Sequence, residues 1–208
     1  MALKNHLVIM AKAPRIGRVK SRLARGIGRV GAWMFYRRTL ALVTRSLAAD
    51  RRWTTWLAVS PDNAVHDDRI WPPSCPRLTQ GGGDLGQRMG RVMDIMTPGP
   101  VVIIGADIPD IRRRHIAAAF AALGRCDAVF GPADDGGYWL VGLRRRPRIV
   151  SIFDPVRWST EHALTDTRAN LPDDAKIVFL ETLTDVDDVS DLVRRSKNSP
   201  IRKSDSNN

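Results

Sequence analysis

The sequence predicts an α/β fold, namely a single-domain α/β/α sandwich around a mixed, mostly parallel central sheet. Short apolar segments alternate with amphipathic ones along most of the 208 residues, as in parallel strands connected by helices. The clearest strand is at residues 101–104, because four β-branched residues in a row indicate a strand buried on both faces. We predict one domain over residues 1–195, followed by a polar tail, 196–208, that is disordered.

Strands and helices can be placed in order from the periodicity of the apolar residues. Strands are predicted at residues 6–11, 53–60, 77–80, 101–104, 126–131, 138–143, 149–153 (an edge strand) and 177–180. Helices are predicted at residues 30–49, 84–96, 111–123 and 160–169, and a terminal helix follows the segment 183–192. One apolar stripe of the first helix faces the sheet: Trp33, Tyr36, Leu40, Val43 and Leu47.

The ends of these elements carry capping and turn residues. Asp84 is the predicted N-cap of the second helix, and Ser159 or Thr160 that of the fourth. The hairpin-like segment between residues 126–131 and 138–143 predicts one antiparallel strand in the sheet.

Composition and charge limit the classes of function. The net charge of +11 at pH 7 favours anionic partners, either nucleic acid or a phosphorylated small molecule. The basic residues are dispersed and not interleaved with aromatics, which disfavours a single-strand nucleic-acid binder. Two cysteines in dissimilar contexts, Cys75 and Cys126, and four scattered histidines give little support for a Cys/His metal site or a Ser/His/Asp triad. No segment is apolar over the length of a membrane span or resembles a signal peptide, so we expect a cytoplasmic protein without a membrane span.

Asp107 follows the central strand by two residues. Ligands of open α/β sheets bind beyond the carboxyl ends of the strands, so we expect Asp107 at the mouth of a site. A carboxylate there can hold a divalent cation such as Mg2+ or Mn2+, which in turn binds phosphate oxygens. The segment alone supports an alternative equally well, in which Asp107 caps the following helix.

A basic loop follows the first strand. Residues 12–23 include one proline, one glycine and five cationic side chains: Lys12, Arg15, Arg18, Lys20 and Arg22. A loop of this kind at a strand end can cradle phosphate groups. It is not a Walker A loop, because the glycines are wrongly spaced and no Gly-Lys-Ser/Thr occurs. The alternative is an ordinary basic surface loop.

The segment Asp134-Asp135-Gly136-Gly137 lies between two predicted strands. Two adjacent carboxylates and two glycines exceed what a hairpin turn requires, which favours a metal ligand or hydrogen bonds to sugar hydroxyls. Asp107, the basic loop and this segment all follow strands, so one cleft could collect them. Cationic side chains beside isolated carboxylates are typical of a site for a nucleotide and a divalent metal. The absence of Gly-x-Gly-x-x-Gly after the first strand gives no signal for hydride chemistry.

Four segments resemble a known family: MAKAPRIGRVKSRLA, GQRM, GADIPDI and GPADDGGYWLVGL. They are similar to bacterial transferases of the nucleotide-diphospho-sugar transferase superfamily, which have the glycosyltransferase A-type fold. The nearest branch consists of small candidate glycosyltransferases, some linked to arsenosugar biosynthesis, and the likeness spans about residues 7–192. The first loop departs from that of the sugar-nucleotide pyrophosphorylases. It is closer to the loop of the phospholactate guanylyltransferases, which ends in Lys-Ser-Arg-Leu.

This resemblance implies a role for individual residues. Asp107 would bind Mg2+ or Mn2+ and, with Lys20, would be catalytic. Asp187 would help to hold a metal, although helix capping explains this residue equally well. The acceptor or sugar pocket would be lined by Asp134, Asp135, Gly136 and Gly137. The nucleotide would be bound by Lys12, Pro14, Gly17, Lys20, Arg22, Gln87 and Arg88.

The activity implied is metal-dependent glycosyl transfer from a nucleotide-diphospho-sugar donor to a small-molecule acceptor. The alternative is a nucleotidyltransferase that joins an NTP to a phosphorylated small molecule and releases pyrophosphate. A third hypothesis, a basic nucleic-acid-binding protein, agrees with the charge of +11 but is disfavoured by the central carboxylates, which would repel a phosphate backbone.

Overall fold

The computed structural model describes residues 3–146 and 150–198. Within these ranges, seven strands form one sheet: β1 (His6–Lys12), β2 (Thr54–Ser60), β3 (Arg77–Thr79), β4 (Val101–Gly105), β5 (Ala128–Pro132), β6 (Tyr138–Leu143) and β7 (Ile177–Phe179). The same ranges contain five α-helices: α1 (Ser21–Ala48), α2 (Leu85–Ile95), α3 (Arg113–Leu123), α4 (Ala163–Ala169) and α5 (Val189–Asn198).

The sheet is mixed, and its order is β3-β2-β1-β4-β6-β5-β7. Strand β6 is antiparallel to its neighbours β4 and β5, whereas the other adjacent strands are paired in parallel. The prediction of one antiparallel strand in a mostly parallel sheet is therefore confirmed.

The sheet is covered on both faces, which confirms the predicted sandwich. Because successive side chains of a strand point to opposite faces, Leu7 and Ile9 of β1 face one layer and Val8 faces the other. The first layer is formed by α1 and α3, and the second includes α2. Each fully buried Leu, Ile or Val contributes roughly 1.5–3 kcal/mol relative to its exposed state.

The connections of the sheet create a crevice between β1 and β4. After β1, the chain continues through α1 to β2, which lies beside β1 at one edge. From β3 it returns through α2 to β4, which lies beside β1 at the opposite edge. At such a switch point, the loops that follow the two central strands diverge, and ligands bind between them. The loops concerned are 13–20 after β1 and 106–112 after β4.

Helix α1 begins earlier than the sequence predicted, at Ser21 and not at residue 30. The glycines of its first turns are needed for packing and for a kink. A Cβ at Gly26 would collide with the Val189 side chain of α5, and Gly28 interrupts the helix with φ 76°. As a result, Arg22 lies in the first turn of a helix and not in a loop.

Helix α4 begins later than predicted, at Ala163. Ser159 does not cap it, since its backbone is in the left-handed region (φ 62°). Thr160 accepts a hydrogen bond from the His162 N–H at 3.2 Å, just before the helix, and donates one to the Arg157 carbonyl.

Two further predictions, for residues 149–153 and for the C-terminal segment, need correction. Residues 150–153 are not in a strand, and Ile149 lies outside the described residues. Helix α5 continues through residues 196–198, which were predicted to belong to the disordered tail. Residues 199–208 lie outside the described residues. No helix in the described part of the chain is both long and apolar enough to cross a membrane.

Candidate active site

Lys20 is the residue around which the candidate site is built. It lies at the N-terminal end of α1 in the left-handed conformation (φ 47°, ψ 52°). That conformation costs a residue with a Cβ roughly 1–2 kcal/mol, and such outliers cluster at functional sites. The side chain is 5% exposed, and its Nζ lies 2.8 Å from Asp107 Oδ2 and 2.7 Å from Asp187 Oδ1. One ammonium group therefore bridges the two carboxylates that the sequence proposed as metal ligands.

The charge of Lys20 is retained by these contacts. Burial by itself lowers the pKa of a lysine, but the charges and hydrogen bonds of Asp107 and Asp187 outweigh it, so the pKa of Lys20 lies above its ordinary value. Arg22 adds a weaker contact, with its Nη1 3.5 Å from Asp187 Oδ2. Since the Arg22 side chain is 73% exposed, solvent screens most of that attraction.

The structure excludes helix capping as the role of either carboxylate. Helix α3 has Arg112 at its N-cap position, five residues after Asp107. At the start of α5, Asp188 Oδ1 accepts the N–H of Asp191, and Asp191 Oδ2 accepts the N–H of Asp187. The Asp187 carboxylate is left to face Lys20.

A cavity of about 270 Å³ opens beside Asp107 at the carboxyl end of β4. Three carboxylates line it, from Asp107, Asp135 and Asp185. Its walls include the aromatic rings of Tyr138 and Trp158, which lie edge to face with centroids 6.5 Å apart. The cavity thus combines aromatic surface with acidic groups, at the exit of the central strands.

The sequence analysis did not identify Asp185. Burial, followed by the negative charge of Asp187, raises the pKa of Asp185 to about 6. In the described part of the chain, the Asp185 carboxylate has neither a hydrogen bond nor an ion pair. A signal was present: Asp185 and Asp187 flank one apolar residue, Val186, and such alternation predicts that both carboxylates lie on the side opposite to the buried Val186.

The four residues 134–137 divide into two pairs. Asp135 and Gly137 line the cavity, and Asp135 Oδ1 accepts the Gly137 N–H at 2.9 Å. Asp134 is not among the residues that line it, and its Oδ2 accepts the Thr184 hydroxyl. Gly136 forms the turn, with φ 82° and no room for a Cβ against the Glu161 backbone.

The first part of the basic loop is fixed against α1. The Lys12 N–H donates to the Tyr36 hydroxyl, which donates to the Lys12 carbonyl, both at 2.9 Å. The Trp33 indole N–H donates to the Pro14 carbonyl at 2.7 Å, and Gly17 turns the chain with φ 74°. These contacts fix the course of the loop toward Lys20, while the Lys12 side chain remains exposed.

Gln87 and Arg88 lie apart from the cavity beside Asp107. Gln87 completes the predicted cap of α2: Asp84 Oδ1 accepts its N–H at 2.8 Å, and its side chain accepts the Asp84 N–H at 3.2 Å. Arg88 Nε donates to the Gly83 carbonyl at 2.9 Å. Gln87 therefore caps α2 and Arg88 binds the glycine-rich segment at Gly83, and the contact of both side chains with a nucleotide stays a prediction.

A solved structure resembles the chain over nearly its whole length. A candidate nucleotide-diphospho-sugar transferase from Desulfovibrio desulfuricans has 30% sequence identity and a TM-score of 0.83, with 97% of this chain and 91% of that one covered. Fold and site together define a transferase with the nucleotide-diphospho-sugar transferase fold, as the sequence predicted. The chain belongs to the family described as "Uncharacterized protein conserved in bacteria (DUF2064)", whose sequence pattern matches residues 42–160.

More distant structures share the fold. The 4-diphosphocytidyl-2C-methyl-D-erythritol synthase from Anaerococcus prevotii has a TM-score of 0.61 at 11% identity, covering 93% of this chain and 95% of that one. Rv0371C from Mycobacterium tuberculosis, in complex with manganese, has a TM-score of 0.55 at 13% identity, covering 94% and 100%. Among curated proteins, none matches this sequence.

Proposed function

We propose that this protein is a metal-dependent transferase that moves a glycosyl group from a nucleotide-diphospho-sugar to a small acceptor. The observation that carries the proposal is the meeting of Lys20, Asp107 and Asp187 beside the cavity that Asp107 lines. A buried ammonium suits the diphosphate of a donor, and carboxylates suit the divalent cation that accompanies it. The related candidate sugar transferase supports the same class of donor.

Asp107 and Asp187 fit a divalent cation. Each directs one oxygen to the Lys20 ammonium, so the two carboxylates lie close together, and each has a second oxygen that could bind a cation beside Lys20. Within the described residues, no group of three or more His, Cys, Asp or Glu side chains forms a complete cage. Mg2+ is commonly held by one or two carboxylates together with water and substrate phosphates, and Mn2+ accepts the same oxygen donors. A bound cation would neutralise the charge that develops on the departing diphosphate.

Lys20 would hold the diphosphate of the donor. Its ammonium carries its charge at neutral pH. The loop 13–20, which the hydrogen bond from Trp33 to the Pro14 carbonyl fixes against α1, positions it. The first turn of α1 contains no acidic residue and has no side-chain cap, so its N–H groups and the helix dipole add positive potential at the same place. Arg22, exposed at the rim, would bind phosphate oxygens nearer to solvent.

The cavity beside Asp107 would receive the transferred sugar and part of the acceptor. Its volume of about 270 Å³ is close to the lower limit of ligand pockets, which restricts it to a small group. Asp135 uses one carboxylate oxygen for the Gly137 N–H, so the other is available to a hydroxyl. The rings of Tyr138 and Trp158 offer apolar surface to a sugar face.

Nucleotidyl transfer is the second candidate function. It is favoured by the segment Lys20-Ser21-Arg22-Leu23 at the start of α1 and by the fold shared with a synthase whose named product carries a diphosphocytidyl group. In that reaction, Lys20 and Arg22 would stabilise the transition state at the α-phosphoryl group, and pyrophosphate would leave.

Product analysis separates the two functions. Nucleotide sugars and NTPs are first screened by thermal shift with and without Mn2+, and the best ligands are then incubated with candidate acceptors. Glycosyl transfer releases a nucleoside diphosphate from the nucleotide sugar. If pyrophosphate is released from an NTP when a phosphorylated acceptor is added, the activity is nucleotidyl transfer and the proposal of glycosyl transfer is wrong. If no nucleotide raises the melting temperature with metal present, both functions are wrong.

A further inference from the structure

Helix α1 carries a face that the rest of the fold leaves uncovered. Along this face, one row of residues recurs every four positions: Val30, Met34, Arg38 and Leu42. The three aliphatic members are 54%, 59% and 55% exposed, in that order. A neighbouring row at the same spacing consists of Arg29, Trp33, Arg37, Ala41 and Arg45, of which Trp33 is half-buried at the edge of the face. We call these two rows the α1 face.

The α1 face mixes positive charge with apolar surface at close range. The guanidinium of Arg37 lies over the Trp33 ring, 5.4 Å from its centroid. Arg38 follows Met34 by one turn and precedes Leu42 by one turn, so aliphatic and cationic side chains alternate along the helix. The opposite side of α1, with Tyr36, Leu40 and other residues, is packed in the core.

The positive charge of the face is not balanced by the protein itself. Helix α1 contains no Asp or Glu over its 28 residues. In the described part of the chain, no carboxylate oxygen lies within 4.0 Å of the guanidinium groups on the face. Many arginines elsewhere are paired, for example Arg157 with Asp166 at 2.8 Å and Arg52 with Asp50 at 2.7 Å. The face therefore presents unneutralised cations to an external partner.

We propose that the α1 face docks on the surface of an anionic lipid bilayer. Arginines are attracted to lipid phosphates, and exposed aliphatic side chains between them can enter the boundary between headgroups and acyl chains. The lipid surface matches both components of the face. It requires no membrane-spanning helix, and it is independent of the transferase reaction proposed above.

Other partners match only one component. A nucleic acid would bind the arginines through its phosphates but would leave Val30, Met34 and Leu42 against a charged backbone. A second copy that docked through the same face would bring two sets of unpaired arginines together, which like-charge repulsion opposes. Charge and apolar surface together therefore favour lipid.

A groove beside α1 is also lined by both apolar and cationic side chains. It has a volume of about 850 Å³ and lies between α1 and the segment 69–74. Trp33, Arg37 and Arg45 of the face line one side, and Ile70 lies on the other. Apolar surface with cations at the rim offers a single lipid a place to insert its headgroup or the start of a chain.

Vesicle binding tests the proposal with the full chain. Wild-type protein is sedimented with vesicles of pure phosphatidylcholine or of phosphatidylcholine with about one third phosphatidylglycerol. We expect binding to the anionic vesicles only, weakened about fivefold for each unit of charge removed from the face. Met34→Glu and Arg38→Glu are the test variants, and both positions are exposed, so the fold should persist. Met34→Ser tests the apolar component without a change of charge.

Matched variants elsewhere provide the control. Ile95→Glu changes a 53% exposed aliphatic residue of α2, and Arg168→Glu reverses one exposed arginine of α4. The proposal holds if both controls bind like wild type while the three α1 variants lose affinity. It is overturned if wild type ignores anionic vesicles, if the controls lose as much as the α1 variants, or if Met34→Ser binds unchanged. Binding to duplex RNA or DNA that the α1 variants lose, without vesicle binding, would assign the face to nucleic acid.

Discussion

Asp187 accepts a hydrogen bond from the Lys20 ammonium at 2.7 Å, although 167 residues separate the two in the chain. The same ammonium lies 2.8 Å from Asp107, so it joins the loop after β1, the loop after β4 and the segment before α5. One ammonium group thus connects three separate segments of the chain at the candidate site. Replacing it should change both the charge of the site and the position of the two carboxylates.

Replacing Lys20 by methionine should weaken the binding of a nucleoside diphosphate much more than that of the nucleoside. The variant keeps most of the side-chain volume but removes the ammonium that we place on the diphosphate. A hydrogen bond to a charged group contributes about 1.5–3 kcal/mol, so we expect a loss of roughly tenfold to a hundredfold. Isothermal titration with both ligands, in the presence of Mn2+, measures the difference.

Lys176→Met is the matched control for this substitution. It removes the same charge from an exposed lysine that immediately precedes β7, and it should change neither affinity. Equal losses for diphosphate and nucleoside in Lys20→Met would argue against a phosphate-binding role of Lys20.

Asp107→Asn and Asp187→Asn should each abolish the metal-dependent part of nucleotide binding while leaving the fold intact. The amide keeps the shape of the carboxylate but is a poor ligand for Mg2+ or Mn2+, and Lys20 retains one charged partner in each variant. Titration of the nucleotide with and without Mn2+ gives the metal-dependent difference. Asp174→Asn, at an exposed position outside the site, should behave like wild type. An unchanged metal effect in Asp107→Asn would remove Asp107 from the mechanism.

Asp185 should make the protein less stable as the pH rises from about 4 to 6. Burial and the charge of Asp187 raise its pKa from 3.8 to about 6 in the folded state, so between these values the folded chain binds more protons than the unfolded one. Stability then falls with increasing pH. Because the carboxylate is partly solvated, we expect a cost of only about 1 kcal/mol above pH 6.

Asp185→Asn tests this titration by urea unfolding at pH 4 and pH 7. The variant should be more stable than wild type at pH 7 and indistinguishable from it at pH 4, since the wild-type carboxyl is then largely protonated in the folded state. The Asp174→Asn control corrects for the loss of one negative charge from a basic protein. A gain of equal size at both pH values would show that ionisation is not its cause.

The central part of the site could be predicted because it follows from local sequence. The apolar run before Asp107 identifies a buried parallel strand, and a strand end of that kind sits at the ligand-binding edge of the sheet. The density of cations at residues 12–23 similarly indicated an anion site, and Lys20 does reach Asp107. These inferences needed only strand order and charge.

The remaining parts depend on contacts between distant segments. The first helix was predicted only from residue 30, whereas the chain is already helical at Gly26, where the approach of Val189 requires a residue without a side chain. The proximity of Asp185 to Asp187 is visible in the sequence, but the burial that raises the pKa of Asp185 follows only from folding. Gln87 is a different case, since the spacing Asp84-x-x-Gln87 is the pattern of a capping box and was visible in the sequence.

Gly136 should be among the positions least tolerant of a side chain. Its φ of 82° lies in the left-handed region, and a Cβ there would collide with the backbone of Glu161. The turn is also tied to α4, because the Leu164 N–H donates to the Gly136 carbonyl at 3.1 Å. Relief of the collision by movement of the turn would strain this bond and displace the neighbouring Asp135 and Gly137 from the cavity wall.

Gly136→Ala should therefore reduce both stability and activity. The left-handed conformation costs alanine roughly 1–2 kcal/mol, and the collision brings the expected loss to about 2–4 kcal/mol, or a fall in Tm of roughly 5–12 °C for a chain of this size. Gly82→Ala is the control, since a Cβ at Gly82 meets no atom within 4 Å and its stability should change by less than about 0.5 kcal/mol. Thermal unfolding of both variants measures the difference in melting temperature. Similar melting temperatures would mean that the turn at Gly136 adapts to a side chain. The rigid wall that we assign to this edge of the cavity would then be wrong.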